Sequence, residues 1–158
     1  MRTAKDTKTT KKAVNPYDCI KLENQLCFPL YVCSKEIVRR YKPFLDELGI
    51  TYTQYIAMMA LWEYGCMNVR ELGDYLYLDS GTLTPVLKTL EGKGLVRRKR
   101  CETDERSVLV EATEAGMALR EQAVTIPPRM GACISLSAQD IAELARILHK
   151  MIGGFPAE

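Results

Sequence analysis

Cys27 lies in the run Leu22-Glu23-Asn24-Gln25-Leu26-Cys27-Phe28-Pro29-Leu30-Tyr31, with further tyrosines at Tyr41 and Tyr52 and a second isolated cysteine at Cys133. A thiol that meets a peroxide as thiolate becomes a sulfenic acid, which condenses with any second thiol in reach. Such a thiolate must be favoured at neutral pH against an unperturbed pKa of about 8.5. The only histidine, His149, is remote in sequence, so tyrosine hydroxyl donors and a helix N-terminus are the expected means. The six cysteines (19, 27, 33, 66, 101 and 133) form no CxxC pair, which argues against a zinc site of the usual spacing; no metal and no cofactor are expected. Cys19, Cys33, Cys66 and Cys101 are read as structural or incidental, with Cys101 exposed enough to be a side target for oxidants.

A second group of residues has the types that contact nucleic acid. In Leu78-Asp79-Ser80-Gly81-Thr82-Leu83-Thr84-Pro85, small hydroxyl residues occupy the outward side of an expected helix start while leucines face inward. Ser80, Thr82 and Thr84 can bond phosphates or base edges, and a threonine methyl can touch a thymine. Lys88 extends the same face. The run Arg97-Arg98-Lys99-Arg100-Cys101-Glu102-Thr103-Asp104-Glu105-Arg106 follows. At a hairpin tip it could insert one arginine into a minor groove while Arg98 and Arg100 neutralise phosphates. Arg106 is the choice for insertion, oriented by Asp104. On their own these charges would read as a solvated surface, because Glu102, Asp104 and Glu105 offset part of the patch.

The elements that must position these residues follow from periodicity and caps. Leu22, Leu26, Leu30, Cys33, Ile37, Tyr41, Phe44 and Leu48 recur at steps of three and four, one face of a long amphipathic helix. Pro29 cannot donate to the carbonyl of Gln25, so this helix either kinks near Pro29 or begins afresh close to Cys27. Asn15-Pro16 also has the form of a helix start. Thr51 or Thr53 caps a second helix running through Trp62 and Tyr64. Asn68 caps a third, Val69 to Leu76, and Asp79 a fourth, Ser80 to Lys93. Leu95 to Arg100 and Ser107 to Glu111 read as a hairpin. Thr113 opens a fifth helix that stops before Pro127-Pro128, and Ser137 to Asp140 is a capping box for a last helix to about Met151. The fold class is mainly α with a small β-hairpin wing, a winged helix-turn-helix.

The 158 residues, 47% hydrophobic and 27% charged, suit one soluble domain. No apolar run approaches the roughly 20 residues that span a bilayer, and the N-terminus lacks the apolar region of a secretory signal. A cytoplasmic protein with reduced thiols is expected. Within the net charge of +2, residues 1–16 carry Arg2, Lys5, Lys8, Lys11 and Lys12 against Asp6 and read as a disordered basic arm. Residues 51–112 are assigned to DNA binding. Residues 17–50 and 113–152 are assigned to a helical dimerisation region, whose outer helices cannot cover their own apolar faces.

The segment around Cys27, the Asp79–Pro85 motif and the stretch ending Asp104-Glu105-Arg106-Ser107 resemble the MarR family of dimeric regulators. More narrowly they resemble its organic-hydroperoxide-sensing repressors of the OhrR type, from about Lys21 to about Leu148. The resemblance implies that Cys27 is the peroxide-reacting cysteine and that Tyr41 and Tyr52 hold its sulfur from the partner subunit, with Tyr31 near it. It implies that Cys133 is the resolving cysteine, forming a disulfide with the reactive cysteine of the other chain. It places Ser80, Thr82, Thr84, Lys88 and Arg106 at DNA-contact positions. The function expected is a homodimeric, non-enzymatic repressor that binds a pseudo-palindromic double-stranded operator when reduced and leaves it when organic hydroperoxide oxidises Cys27. Pro29 departs from the family pattern. Two other readings keep the same residues. In one, a small phenolic or apolar ligand triggers release, with Tyr52, Tyr55, Trp62 and Tyr64 lining its pocket. In the other, a thiol peroxidase uses Cys27 and Cys133.

Overall fold

Several helix starts in this chain are set by residues whose side chains satisfy the first free N–H groups of a helix. The computed structural model describes residues 15–100 and 107–155. Asp104 and Arg106, with Cys101 and nearly all of the basic arm, lie outside the described residues. The chain divides into two compact units between Arg39 and Arg40. Helix α1 (Cys27–Glu47) crosses that division.

In the first unit, Asn15 accepts a hydrogen bond from the Tyr17 N–H at 3.0 Å and caps a 3-10 helix, Pro16–Ile20. A second 3-10 turn, Leu22–Asn24, follows. Gln25 is extended, with φ −98° and ψ 120°, and α1 begins at Cys27. Of the two starts open in the sequence, the fresh one is adopted. Pro29 is then the third helical residue. Its missing N–H would have had no intrahelical partner in any case, and no helical carbonyl lies four residues back for its ring to strike. Tyr17, Ile20, Leu22, Leu26, Phe28, Tyr31 and Val32 are all exposed in the single chain.

The second unit is built around α2 (Tyr52–Tyr64). Thr51 and Gln54 form a reciprocal capping box at its start. Its residues Tyr55, Ala57, Met58, Ala60 and Leu61 are buried, and Leu45 and Ile50 join them from the preceding segment. Gly65, at φ 76°, ends α2. Strand β1 (Met67–Asn68) leads into α3 (Val69–Leu76), capped by Asn68 and Glu71. Leu72 seals α3 to the core, and Leu83, Leu87 and Leu90 seal α4 (Ser80–Gly92). Strands β2 (Val96–Arg100) and β3 (Val108–Ala112) pair antiparallel, with Val96 opposite Ala112 and Arg100 opposite Val108. The expected wing hairpin gains a third strand, since β1 pairs with β3 through Met67 opposite Val110. Two residues are too few to show a period in sequence.

Thr113 caps α5 (Glu114–Ala123). A Cβ on Gly116 would stand 2.0 Å from the Leu95 carbonyl oxygen, so only glycine allows α5 to approach the residue leading into β2 this closely. After α5 comes a short helix absent from the sequence expectation, α6 (Ile126–Gly131), with Pro127 and Pro128 in its first turn. The prolines end α5 and also open α6, because a first turn needs no N–H from them. Helix α7 (Ala138–Ile152) starts at the Ser137–Asp140 capping box and buries none of its residues. Among the described residues, no helix is long and apolar enough to cross a membrane, and no group of three metal-ligating side chains forms.

Candidate DNA interface and thiol sensor

The turn between α3 and α4 is tight. Leu78 N–H donates to the Gly73 carbonyl at 2.9 Å, and a Cβ on Gly73 would lie 2.8 Å from the Leu78 oxygen. Tyr77 takes the left-handed conformation, φ 54°, to close it, which is strained for a residue other than glycine. Asp79 then caps α4. Its carboxylate accepts from the Thr82 N–H at 2.9 Å and from the Thr82 hydroxyl at 2.8 Å. The Thr82 side-chain bond, followed by the backbone one, holds the Asp79 carboxyl below its ordinary value. Thr82 thus uses its hydroxyl proton in the cap and remains exposed. Ser80, Thr82 and Lys88 are exposed and Thr84 half-buried, while Leu83 and Leu87 face in.

The basic strand is less open than its composition suggests. Arg98 is half-buried, and its Nε donates to Glu91 at 3.0 Å, tying β2 to the end of α4. Arg97 and Lys99 reach Glu111 across the hairpin at 2.6 and 3.3 Å. Arg97 first and Lys99 second pull the Glu111 carboxyl down. Lys93 donates to the Gly49 carbonyl and to Gln54. Arg100 is exposed at the end of β2. The Glu91 and Glu111 pairings were not foreseen from the sequence; the only local signal was acidic residues flanking the basic run.

In the first unit, Cys27 is the first residue of α1 and its thiol is exposed. Tyr31, 62% exposed, follows four residues later, on the same helical face. In the second unit, Tyr41 and Tyr52 meet edge-on, their ring centres 5.1 Å apart. Tyr55 lies 5.9 Å from Tyr41 and 6.3 Å from Trp62. Burial pushes all three phenols above their ordinary value of 10.0, and neighbouring phenols add to this for Tyr41 and Tyr55. Each thus remains an O–H donor at neutral pH. Trp62 donates to the Gly116 carbonyl at 2.9 Å. Tyr64 stands apart on the surface, paired with Tyr75 at 3.2 Å between hydroxyls. Cys133 follows α6, half-buried, with its Sγ–H donating to the Arg129 carbonyl at 3.4 Å.

The MarR family pattern matches residues 50–108, from the loop before α2 to the start of β3. The organic hydroperoxide resistance transcriptional regulator of Bacillus subtilis (strain 168) is 50% identical over 138 residues, 87% of this chain and 94% of that one. Reduced AbfR bound to DNA, from the Staphylococcus epidermidis regulator, superimposes with a TM-score of 0.73 at 31% identity, covering 86% of this chain and 93% of that one. A mutant MarR from E. coli complexed with operator DNA gives a TM-score of 0.77 at 27% identity, covering 87% and 99%. Identity of this extent, carried across α1, the winged helix-turn-helix and the helices after it, places the chain in the MarR family of transcriptional regulators.

Proposed function

We propose that this protein is a redox-sensing transcriptional repressor of the cytoplasm. As a homodimer with reduced Cys27 it binds a pseudo-palindromic operator, and it leaves that operator when an organic hydroperoxide oxidises Cys27. The observation that carries the reading is the exposed Cys27 thiol on the first residue of α1, with Tyr31 one turn on, in a chain half identical to an organic hydroperoxide resistance regulator. Peroxide attack needs an accessible sulfur.

In this reading Tyr41 and Tyr52 supply O–H donors to the sulfur from the partner subunit, and Cys133 resolves the sulfenic acid as an intersubunit disulfide. Ser80, Thr82, Thr84, Lys88, Arg98, Arg100, Asp104 and Arg106 make or support the DNA contacts. Residues 51–112 form the DNA-binding region, behind a basic arm of residues 1–16. Residues 17–50 and 113–152 form the dimerisation region, for which the uncovered face of α7 (Ile141, Leu144, Ile147) speaks directly. Oxidation then alters the spacing of two recognition helices that must engage together.

Operator binding measured during titration with cumene hydroperoxide tests this. Wild-type protein should release the operator near one equivalent per Cys27, and Cys27→Ser should stay bound. Equal release by Cys27→Ser would sink the thiol mechanism and favour a small ligand seated near Tyr41, Tyr52 and Tyr55.

A further inference from the structure

Cys133 is held by more than the fold of its own segment. Arg129, four residues earlier, forks onto Glu47 with two bonds of 2.9 Å, one from each terminal guanidinium nitrogen. Its guanidinium also lies over the Phe44 ring, 4.3 Å from the ring centre. The Cys133 carbonyl accepts from Arg40 Nη1 at 2.6 Å. On α1, Arg40, Phe44 and Glu47 are spaced by four and three residues and share one face. Three positions of one helix thus grip both ends of the five-residue stretch that carries the sulfur. The Sγ contact lies inside that grip, because its acceptor is the carbonyl of Arg129.

An exposed ion pair adds little to stability, and Arg129 and Glu47 are 43% and 57% exposed. The two-nitrogen fork and the stacked ring fix direction instead. We propose that Arg40, Glu47 and Arg129 are positioning residues that present the Cys133 sulfur for disulfide formation; this rests on the reading of Cys133 as the resolving cysteine.

The step is a condensation. Hydroperoxide oxidises the Cys27 thiolate to a sulfenic acid and is itself reduced to the alcohol. Cys133 loses its proton to solvent and attacks the sulfenyl sulfur. The S–S bond forms, the S–O bond breaks, and the departing hydroxide takes up a proton as water. The grip governs only the second stage, since Arg40 bonds the Cys133 carbonyl, the Arg129 carbonyl accepts from its thiol, and Glu47 acts by fixing Arg129. Misplacing a reacting group by an ångström slows a step strongly.

The test uses full-length protein and one equivalent of cumene hydroperoxide. Samples are quenched over time with a sulfenate-trapping dione and analysed by mass spectrometry for sulfenate and for the Cys27–Cys133 disulfide. Arg40→Met and Glu47→Gln should form sulfenate at the wild-type rate, accumulate it, and form disulfide about tenfold more slowly. Arg40→Lys, which keeps a cationic donor, should recover part of that loss. Disulfide formation at the wild-type rate in both Arg40→Met and Glu47→Gln overturns the grip while leaving Cys133 as the resolving residue. So does equal slowing of both stages, which marks a merely structural role. Absence of the Cys27–Cys133 disulfide from oxidised wild type overturns the reading of Cys133 itself, and the grip with it.

Discussion

Helices α2 and α7 are of similar length, 13 and 15 residues, and both begin with a reciprocal capping box. Six residues of α2 are buried and none of α7 is. The difference lies in how apolar residues are arranged around each helix. α2 is apolar on nearly every side, and the α3, α4 and α5 helices and β3 close around it. α7 confines Ile141, Leu144, Ile147 and Ile152 to one stripe, and each is still 41–44% exposed. A helix of the first kind is stabilised within one chain. A helix of the second kind needs a surface that one chain does not supply. The shared caps show that local rules decide where a helix begins, whereas the distribution of apolar residues decides what it must meet.

Core truncation should give the largest effect. Leu61→Ala in α2 opens a cavity at a fully buried site and should cost about 2–5 kcal/mol in chemical unfolding of either the monomer or a dimer. A cost below about 1 kcal/mol would mean that α2 is not the centre of its unit. Leu144→Asp in α7 should instead leave far-UV circular dichroism unchanged and halve the mass seen by light scattering. It should also weaken operator binding about a hundredfold, through loss of paired half-site engagement. A dimer surviving that change would move the interface away from α7.

The smallest effect is acid sensitivity. Arg98 holds the Glu91 carboxyl, and Arg97 with Lys99 the Glu111 carboxyl, below the ordinary value of 4.5. A lowered folded pKa gives stability that is present in full above pH 4.5. That contribution is lost as pH falls through the folded value. Thermal unfolding followed over acid pH should show this loss, and Glu91→Gln should flatten it. An unchanged acid profile in Glu91→Gln would remove the Glu91–Arg98 tie from the forces holding the wing to α4.

What could be read from sequence was mostly local. Asn68, Asp79, Thr113 and Ser137 cap the helices they were expected to cap, and of the two threonines open for α2 it is Thr51 that caps it, because an N-cap acts within three residues of itself. Helix α6 was missed because Pro127-Pro128 was read only as a stop, although prolines fit a first turn. Strand β1 exists through its pairing with β3, 43 residues away at Met67 and Val110, and has no local signature. For the candidate sites, the placement of Ser80 and Thr82 followed from a helix start, whereas that of Cys27 rested on one of two starts the sequence left open. The joining of Tyr55 to Tyr41, the neutralisation of Arg98 by Glu91, and the grip of Arg40 and Arg129 around Cys133 depend on contacts between distant segments. No spacing rule encodes those contacts.

Pro29 has a consequence for the reproducibility of the sensor position. Most helix starts fray, gaining or losing a residue as the chain before them moves. A proline third from the start, with φ fixed near −65°, resists unwinding on its C-terminal side and blocks backward growth on the other, since it offers no N–H to Gln25. The boundary of α1 is therefore pinned from both directions. The proline thus favours Cys27 as the first residue of α1 over a start one residue earlier.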